Sequence, residues 1–414
     1  MDKVRVVVTG VGAISCVGMT AASMMEALYA GRSGVRRIQR FDPSDLTTQI
    51  AAEVVEFDPT QYMDRKDAKR ADRYSQFAIG ASREAVAQAG LVGSDVDPTR
   101  IGVVLGSGIG GIETFEIQHR ALLEKGAGRV SPFFIPMMIS DMACGLVSML
   151  YGFKGPNFAA VSACASAANA IGTAYLLLQA GHADVIVSGG SEAAITPMSM
   201  AGFCAMKAMS ERNDDPATAS RPFDANRDGF VMGEGAGLVV LERLEVALAR
   251  GVPILGEVVG FGMTGDAHHM TAPAPEGEGA ARAMQAALDM AGVRPEAIDY
   301  INAHGTSTPY NDKNETQAIK TVFGAHAYKM KVGSTKSMTG HLLGASGGVE
   351  SVISVLVLRS GQVPPTINQE TPDPECDLDC IPNVAVPLDV RYVLSNSFGF
   401  GGHNVSILFK RYEG

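Results

Sequence analysis

The chain has 414 residues, 46% hydrophobic and 19% charged, with a formal net charge of −10 and a pI near 5.3. Such a length suggests two or three folding units of about 150 residues, and the acidic balance argues against nucleic acid as the main partner, because phosphate binding needs a basic surface. No apolar run approaches the roughly 18 residues needed to span a bilayer and no charged-then-apolar leader precedes the first strand, so a soluble, cytoplasmic protein is expected.

In chain order, Val4-Arg-Val-Val-Val-Thr-Gly10 reads as the first strand. The segment Val6 to Ser15 resembles a dinucleotide fingerprint, but the third glycine is missing and no acid stands about 20 residues on. A tight strand-to-helix turn is expected there instead. Arg65, Lys66, Lys69, Arg70 and Arg73 fall within nine residues. Lys66, Lys69, Arg70 and Arg73 take helical positions i, i+3, i+4 and i+7, which predicts one basic helix face, with Asp64, Asp67 and Asp72 as local counter-charges.

Asn157 to Ala163 is strand-like and Ala165 to Leu178 is alanine-rich and helical, so Cys164 sits at the joint. A thiol at a helix N-terminus faces unpaired N–H groups and the positive end of the helix dipole, which favour thiolate over thiol. Cys164 is therefore read as a nucleophile. The six cysteines (16, 144, 164, 204, 376 and 380) are scattered, implying no disulfide framework. Cys376 and Cys380 lack a second Cys/His pair at finger-like spacing, so no metal site is predicted.

The chain also repeats itself. Ala89-Gly90 followed by Gly106-Ser-Gly108 is echoed by Ala291-Gly292 followed by Ala303-His-Gly305, and Cys164 to Gly181 spans the same 17 residues as Gly344 to Gly361. Each part reads as strands alternating with helices, ending in a strand pair. In the second half the strand-like runs Ile298 to Ile301 and Met330 to Gly333 precede segments holding His304, Lys336 and His341. Polar groups at strand ends are where open α/β sheets build their sites.

Gly344-Ala-Ser346-Gly-Gly348 fits a nucleophile elbow followed, in hydrolase order, by Asp389 and His403. It gives a rival reading as a serine hydrolase. That reading needs a strand just before Ser346, whereas His341-Leu-Leu-Gly344 reads as a loop leading into a helix. Asn396 to Gly402 is a glycine-dense loop carrying Phe398 and Phe400.

Val161-Ser-Ala-Cys164-Ala-Ser, Ala303-His304-Gly-Thr306-Ser-Thr308-Pro309, Lys336-Ser-Met-Thr-Gly-His341 and Asn396-Ser-Phe-Gly-Phe400-Gly-Gly402 resemble the four signature segments of β-ketoacyl-acyl carrier protein synthases. The similarity keeps order and spacing over essentially the whole chain. Within that family, Gly106-Ser-Gly-Ile109-Gly-Gly, Ser131-Pro-Phe-Phe-Ile-Pro136 and His269-Met-Thr271 resemble the type II elongating enzyme of dissociated fatty acid synthesis. Together with the internal repetition, the resemblance implies a thiolase-like layered αβαβα fold of two similar halves, residues 1–255 carrying the nucleophile and 256–414 carrying both histidines, the lysine and the gating loop, with a site where the halves meet; it also implies a homodimer and acyl carrier protein as partner. No cofactor beyond the carrier's phosphopantetheine arm is implied, and no metal.

It further implies a decarboxylative Claisen condensation of malonyl carrier protein with an acyl chain held as a thioester on Cys164. His304 and His341 would each donate from Nε2 to the enolate oxygen. The N–H groups of Cys164 and Phe400 would form the oxyanion hole, and Phe400 would gate the acyl chain. Lys336 stands too far from pH 7 at its reference pKa to act as a base unless buried, so it is read as a fixed charge with Glu350 as counter-ion.

Thr306, Thr308 and, more weakly, Thr271 would bind the arm, and Ile109 and Phe203 would line the acyl pocket. Lys66, Lys69 and Arg70, joined by Lys207, would dock the acidic carrier. The chain departs from the usual family pattern at His403, where threonine is common, and at Tyr310 and Asn311 near the entrance. A relative that only binds carriers should lack the nucleophile, whereas Cys164, His304, Lys336 and His341 are all present.

Overall fold

The computed structural model describes residues 4–414. One ten-stranded sheet runs through it, built from β1 (Val6–Ile14), β2 (Ile101–Gly106), β3 (Asn157–Ala160), β4 (Val185–Glu192), β5 (Gly235–Arg243), β6 (Gly256–Gly265), β7 (Tyr300–Asn302), β8 (Lys331–Gly333), β9 (Tyr392–Gly399) and β10 (His403–Lys410). The spatial order β1-β5-β4-β2-β3 in the first half recurs as β6-β10-β9-β7-β8 in the second. Pairing type recurs with it: antiparallel for the first two contacts of each block, parallel for the last two. A short antiparallel contact between β1 and β6, from Val6↔Val258 to Val8↔Gly256, joins the blocks.

Helices complete the layers. α1 (Arg73–Gln88) and α2 (Met142–Tyr151) cover the outer face of the first block. α3 (Ser166–Gln179) and α6 (Ser346–Ser360) touch strands of both blocks, while α4 (Glu278–Ala291), with α5 (Pro309–Phe323) against it, covers the second. This is the thiolase-like αβαβα arrangement of two similar halves that the resemblance implied. Leu343–Ser360 is long and apolar enough to cross a membrane, contrary to the expectation from the sequence, yet 83% of it is buried. It is the central core helix: Val349, Val352, Ile353, Val355 and Val357 are fully buried, each removal from water being worth about 1.5–3 kcal/mol.

Two local expectations fail for identifiable reasons. Gly10 and Gly12 lie inside β1 and not in a turn, because α1 crosses directly over them. A Cβ at either position would come within 2.1 Å of a carbonyl oxygen, of Ala85 and Ala81 respectively. The basic segment does not form one helix face either. A single turn, Arg65–Ala68, ends at Lys69, and Asp72 then caps α1 by accepting from the Tyr74 N–H. The second Asp72 carboxylate oxygen accepts from the Thr114 N–H and hydroxyl, which fixes the break. Arg73 consequently turns inward, donating to Glu234 at 2.8 Å and to the Val54 carbonyl at 2.6 Å. Lys66, Lys69 and Arg70 stay exposed, with the Arg70 guanidinium 4.5 Å over the Phe133 ring.

Candidate active site

Cys164 stands in the turn between β3 and α3. Ala163 before it takes φ of +50°, a left-handed conformation that alanine rarely adopts, so the surroundings hold it there. Ser166 does part of this work: its hydroxyl accepts from the Ser162 N–H at 2.9 Å and donates to the Ala163 carbonyl at 2.6 Å. The end of β9 closes on the same turn. A Cβ on Gly399 would lie 2.6 Å from the Ser162 carbonyl oxygen and 3.1 Å from the Cys164 nitrogen, so only glycine permits the approach. That approach brings the Phe400 N–H to the Cys164 sulfur, which also takes a hydrogen bond from its own N–H.

The expected standing thiolate is not found. Burial pushes the Cys164 thiol up to about 12, and the Glu192 carboxylate adds to this. The Lys336 charge and the two N–H groups pull the other way without offsetting removal from water. The resting nucleophile is a thiol.

His304 and His341 come together, their ring centroids 5.2 Å apart and their planes nearly perpendicular. His304 follows β7. Its N–H and that of Gly305 both donate at 2.8 Å to the carboxylate of Glu315 on α5, and Asn396 donates to the same carboxylate. The His304 ring lies against Phe398, and the His341 ring against Phe230. His341 is pinned by its N–H, which donates to the Val231 carbonyl at 2.7 Å, and its Nδ1 sits 2.9 Å from the Ser346 hydroxyl. Burial first, and the Lys336 charge second, hold both imidazoles well below the usual histidine range, so both are neutral at pH 7.

Lys336 is itself buried and ion-paired with buried Glu350. Burial pushes the Glu350 carboxyl up to about 7, against the pull of Lys336. Cys164 belongs to an apolar cluster with Ile195, Met200, Phe230 and Leu343, and half-buried Ile109 and Phe203 pack against it. The Thr306 and Thr308 hydroxyls are 2.9 Å apart, and Thr308 caps α5. Thr271 is exposed and its N–H donates to His269, on a loop tied to the glycine-rich segment 399–402 by the Gly401 N–H donating to the Met270 carbonyl. Lys207 is exposed, and among the described residues neither it nor Lys66 or Lys69 forms an ion pair.

The hydrolase arrangement is not assembled. Ser346 is the buried first residue of α6, preceded by a helical turn and bonded to His341, while Asp389 is exposed and paired with Arg411, and His403 is exposed. All six cysteines are free, and no group of three or more metal-ligating side chains occurs among the described residues.

Two structural carboxylates escaped the sequence reading. Glu315 holds the His304 backbone. Glu192, fully buried at the end of β4, accepts from the Ser107 hydroxyl and the N–H groups of Gly108, Ile109 and Gly344. An acid embedded in the apolar run Val185 to Ile195 was the available signal, since a buried charge demands such partners.

Residues 3–247 match the family described as "Beta-ketoacyl synthase, N-terminal domain", and residues 255–370 match "Beta-ketoacyl synthase, C-terminal domain". The chain is 55% identical over 413 residues, covering 100% of it and 99% of the relative, to the "3-oxoacyl-[acyl-carrier-protein] synthase 2" of Synechocystis. It is similar to a solved beta-ketoacyl synthase from Burkholderia phymatum, with TM-score 0.92, 38% identity and 99% and 100% of the two chains covered. It is likewise similar, with TM-score 0.91, 33% identity and full coverage of both chains, to a ketosynthase solved with its type II polyketide acyl-carrier protein. With both family models matched along the chain and a relative 55% identical over its full length, the chain belongs to the β-ketoacyl synthase family, as a type II member.

Proposed function

We propose that this chain elongates fatty acyl chains by two carbons, with each step assigned to the groups described above. The chain is an acyltransferase of the 3-oxoacyl-[acyl-carrier-protein] synthase kind. In the first step the Cys164 sulfur attacks the acyl thioester of a carrier, and the carrier thiol leaves with the proton that Cys164 gives up. Malonyl carrier then loses CO2, leaving an enolate whose oxygen accepts from Nε2–H of His304 and His341. The enolate carbon attacks the Cys164 thioester, and the N–H groups of Cys164 and Phe400 hold the resulting oxyanion. Collapse releases the 3-oxoacyl carrier product and the Cys164 thiolate, which takes up one proton.

The observation that carries this reading is a pair of neutral, mutually perpendicular imidazoles and a buried thiol touched by two N–H donors, all three within the field of the same Lys336 charge. Enolate stabilisation needs preorganised donors in a dry site, and burial leaves each imidazole neutral with one N–H to give. Lys336 supplies a fixed positive charge, with Glu350 as its ion-pair partner. Thr306 and Thr308 bind the phosphopantetheine arm, Thr271 assists from the neighbouring loop, and Ile109 and Phe203 form the acyl wall. Lys66, Lys69, Arg70 and Lys207, which form no ion pair among the described residues, receive an acidic carrier protein.

The two halves, 1–255 and 256–414, are the functional units, one bringing the nucleophile and the other the histidines. Two copies associate through the exposed edge strand β3, which carries exposed Phe158 and adjoins exposed Val161 and Met149; such an apolar sheet edge is a ready pairing surface. Residence in the reducing cytoplasm accords with six unpaired thiols. Supplying octanoyl- and malonyl-carrier protein and following CO2 and the extended product by mass spectrometry tests the assignment. Stoichiometric CO2 and a product two carbons longer are expected, and hydrolysis without CO2 would overturn it.

A further inference from the structure

The Ser346 hydroxyl and His341 Nδ1 are 2.9 Å apart, and both side chains are buried. Among the described residues this is the only hydrogen bond the Ser346 hydroxyl makes. Two proton arrangements satisfy the distance. If Nδ1 carried hydrogen and donated to the hydroxyl oxygen, the Ser346 proton would be left buried without an acceptor, at a cost of about 1–3 kcal/mol. If Ser346 donates, its proton is used, Nδ1 accepts, and neutral imidazole must carry its hydrogen on Nε2.

We infer that Ser346 is a positioning residue that fixes His341 in the Nε2–H tautomer by donating its hydroxyl proton to Nδ1. The local chain geometry supports a fixed donor. Ser346 is the first residue of α6, so no carbonyl four residues earlier within that helix competes for its proton, and the turn Leu343–Ala345 holds it five residues after His341. His304 contrasts with it. Its Nδ1 is buried with no hydrogen-bond partner among the described residues, so its orientation rests on ring contacts with Phe398 and His341 and on the backbone grip of Glu315. One imidazole of the pair thus has its tautomer set by a side chain, and the other does not.

The inference rests on the proposed role of His341 as an Nε2–H donor to the enolate. Its test reads the tautomer separately from the chemistry. In long-range proton–nitrogen spectra of protein labelled with 15N-histidine, wild type is expected to show an unprotonated His341 Nδ1, and Ser346→Ala a mixture with protonated Nδ1. The alanine variant should release CO2 from malonyl-carrier protein about tenfold more slowly, less than the 10²–10³ typical of deleting an oxyanion donor, with little change in KM or in octanoyl transfer to Cys164. Ser346→Thr, which keeps the hydroxyl, should restore both the spectrum and the rate. A protonated Nδ1 in wild type, or an alanine variant with unaltered tautomer and rate, would overturn the inference. Unimpaired CO2 release by His341→Ala would instead overturn the role of His341 itself, whatever the spectra of the Ser346 variants show.

Discussion

The two halves share a topology but use the same joint differently. In the first, β3 passes to α3 through residues 161–165; in the second, β8 passes to α6 through residues 334–345. The short joint is strained at Ala163 and presents Cys164. The long one contains the helical turn that buries Lys336 and the segment that carries His341. Two residues before α6, where repetition would place a second nucleophile, stands Gly344. A Cβ there would lie 2.2 Å from the Gly108 nitrogen and 2.6 Å from the Glu192 carboxylate. Steric exclusion at one joint and strain at the other set up the division of labour we propose: a single sulfur from the first half, donors and a fixed charge from the second.

Breaking the second half's contribution should have the largest effect. His304→Ala and His341→Ala are each expected to slow CO2 release by about 10²–10³ while still acylating Cys164, as read by single-turnover CO2 measurement and intact-protein mass. Intact decarboxylation with lost acylation would reverse the division. Next comes the joint itself. Gly344→Ala should destabilise the fold by about 1–3 kcal/mol through overpacking against backbone, measurable as a lower denaturant midpoint.

A surface effect is smaller. Lys66→Glu with Lys69→Glu should lower kcat/KM for carrier-bound substrate about tenfold at low ionic strength and flatten its salt dependence, leaving kcat nearly unchanged. The smallest effect concerns pH. Both imidazoles titrate below the ordinary 6.5 in the folded state, so CO2 release should stay level from pH 8 to about 6.5 and fail only in more acid solution. The unfolded chain binds these protons more readily, so the linked stability is complete above 6.5 and is lost as pH falls below it. A rate that halves near pH 6.5 would show that the rings are less buried in solution.

Much of this division is legible in the residues themselves, because the Cys164 turn, the two histidine segments and the glycine-rich loop 399–402 are local patterns. The doubled architecture shows in glycine and alanine spacings that mark matching turns. Other features depend on contacts between distant segments. Asp72 breaks the basic stretch through Thr114, and β1 tolerates glycine only because α1 lies over it. The thiol of Cys164 is neutral for a similar reason: sequence places it at a helix start, but the depth of burial, which decides its charge, comes from β9 and the second half folding over it. Ser346 is the sharpest case, since an elbow-like pattern singled it out as a nucleophile and the fold makes it a partner of His341.

The most direct test of the division is peptide mapping after exposure to octanoyl-carrier protein alone, applied to wild type and to Cys164→Ala. The account predicts one octanoyl group per chain on the peptide containing Cys164, and none on the variant. An octanoyl group on the peptide containing Ser346, or acylation that persists without Cys164, would contradict it.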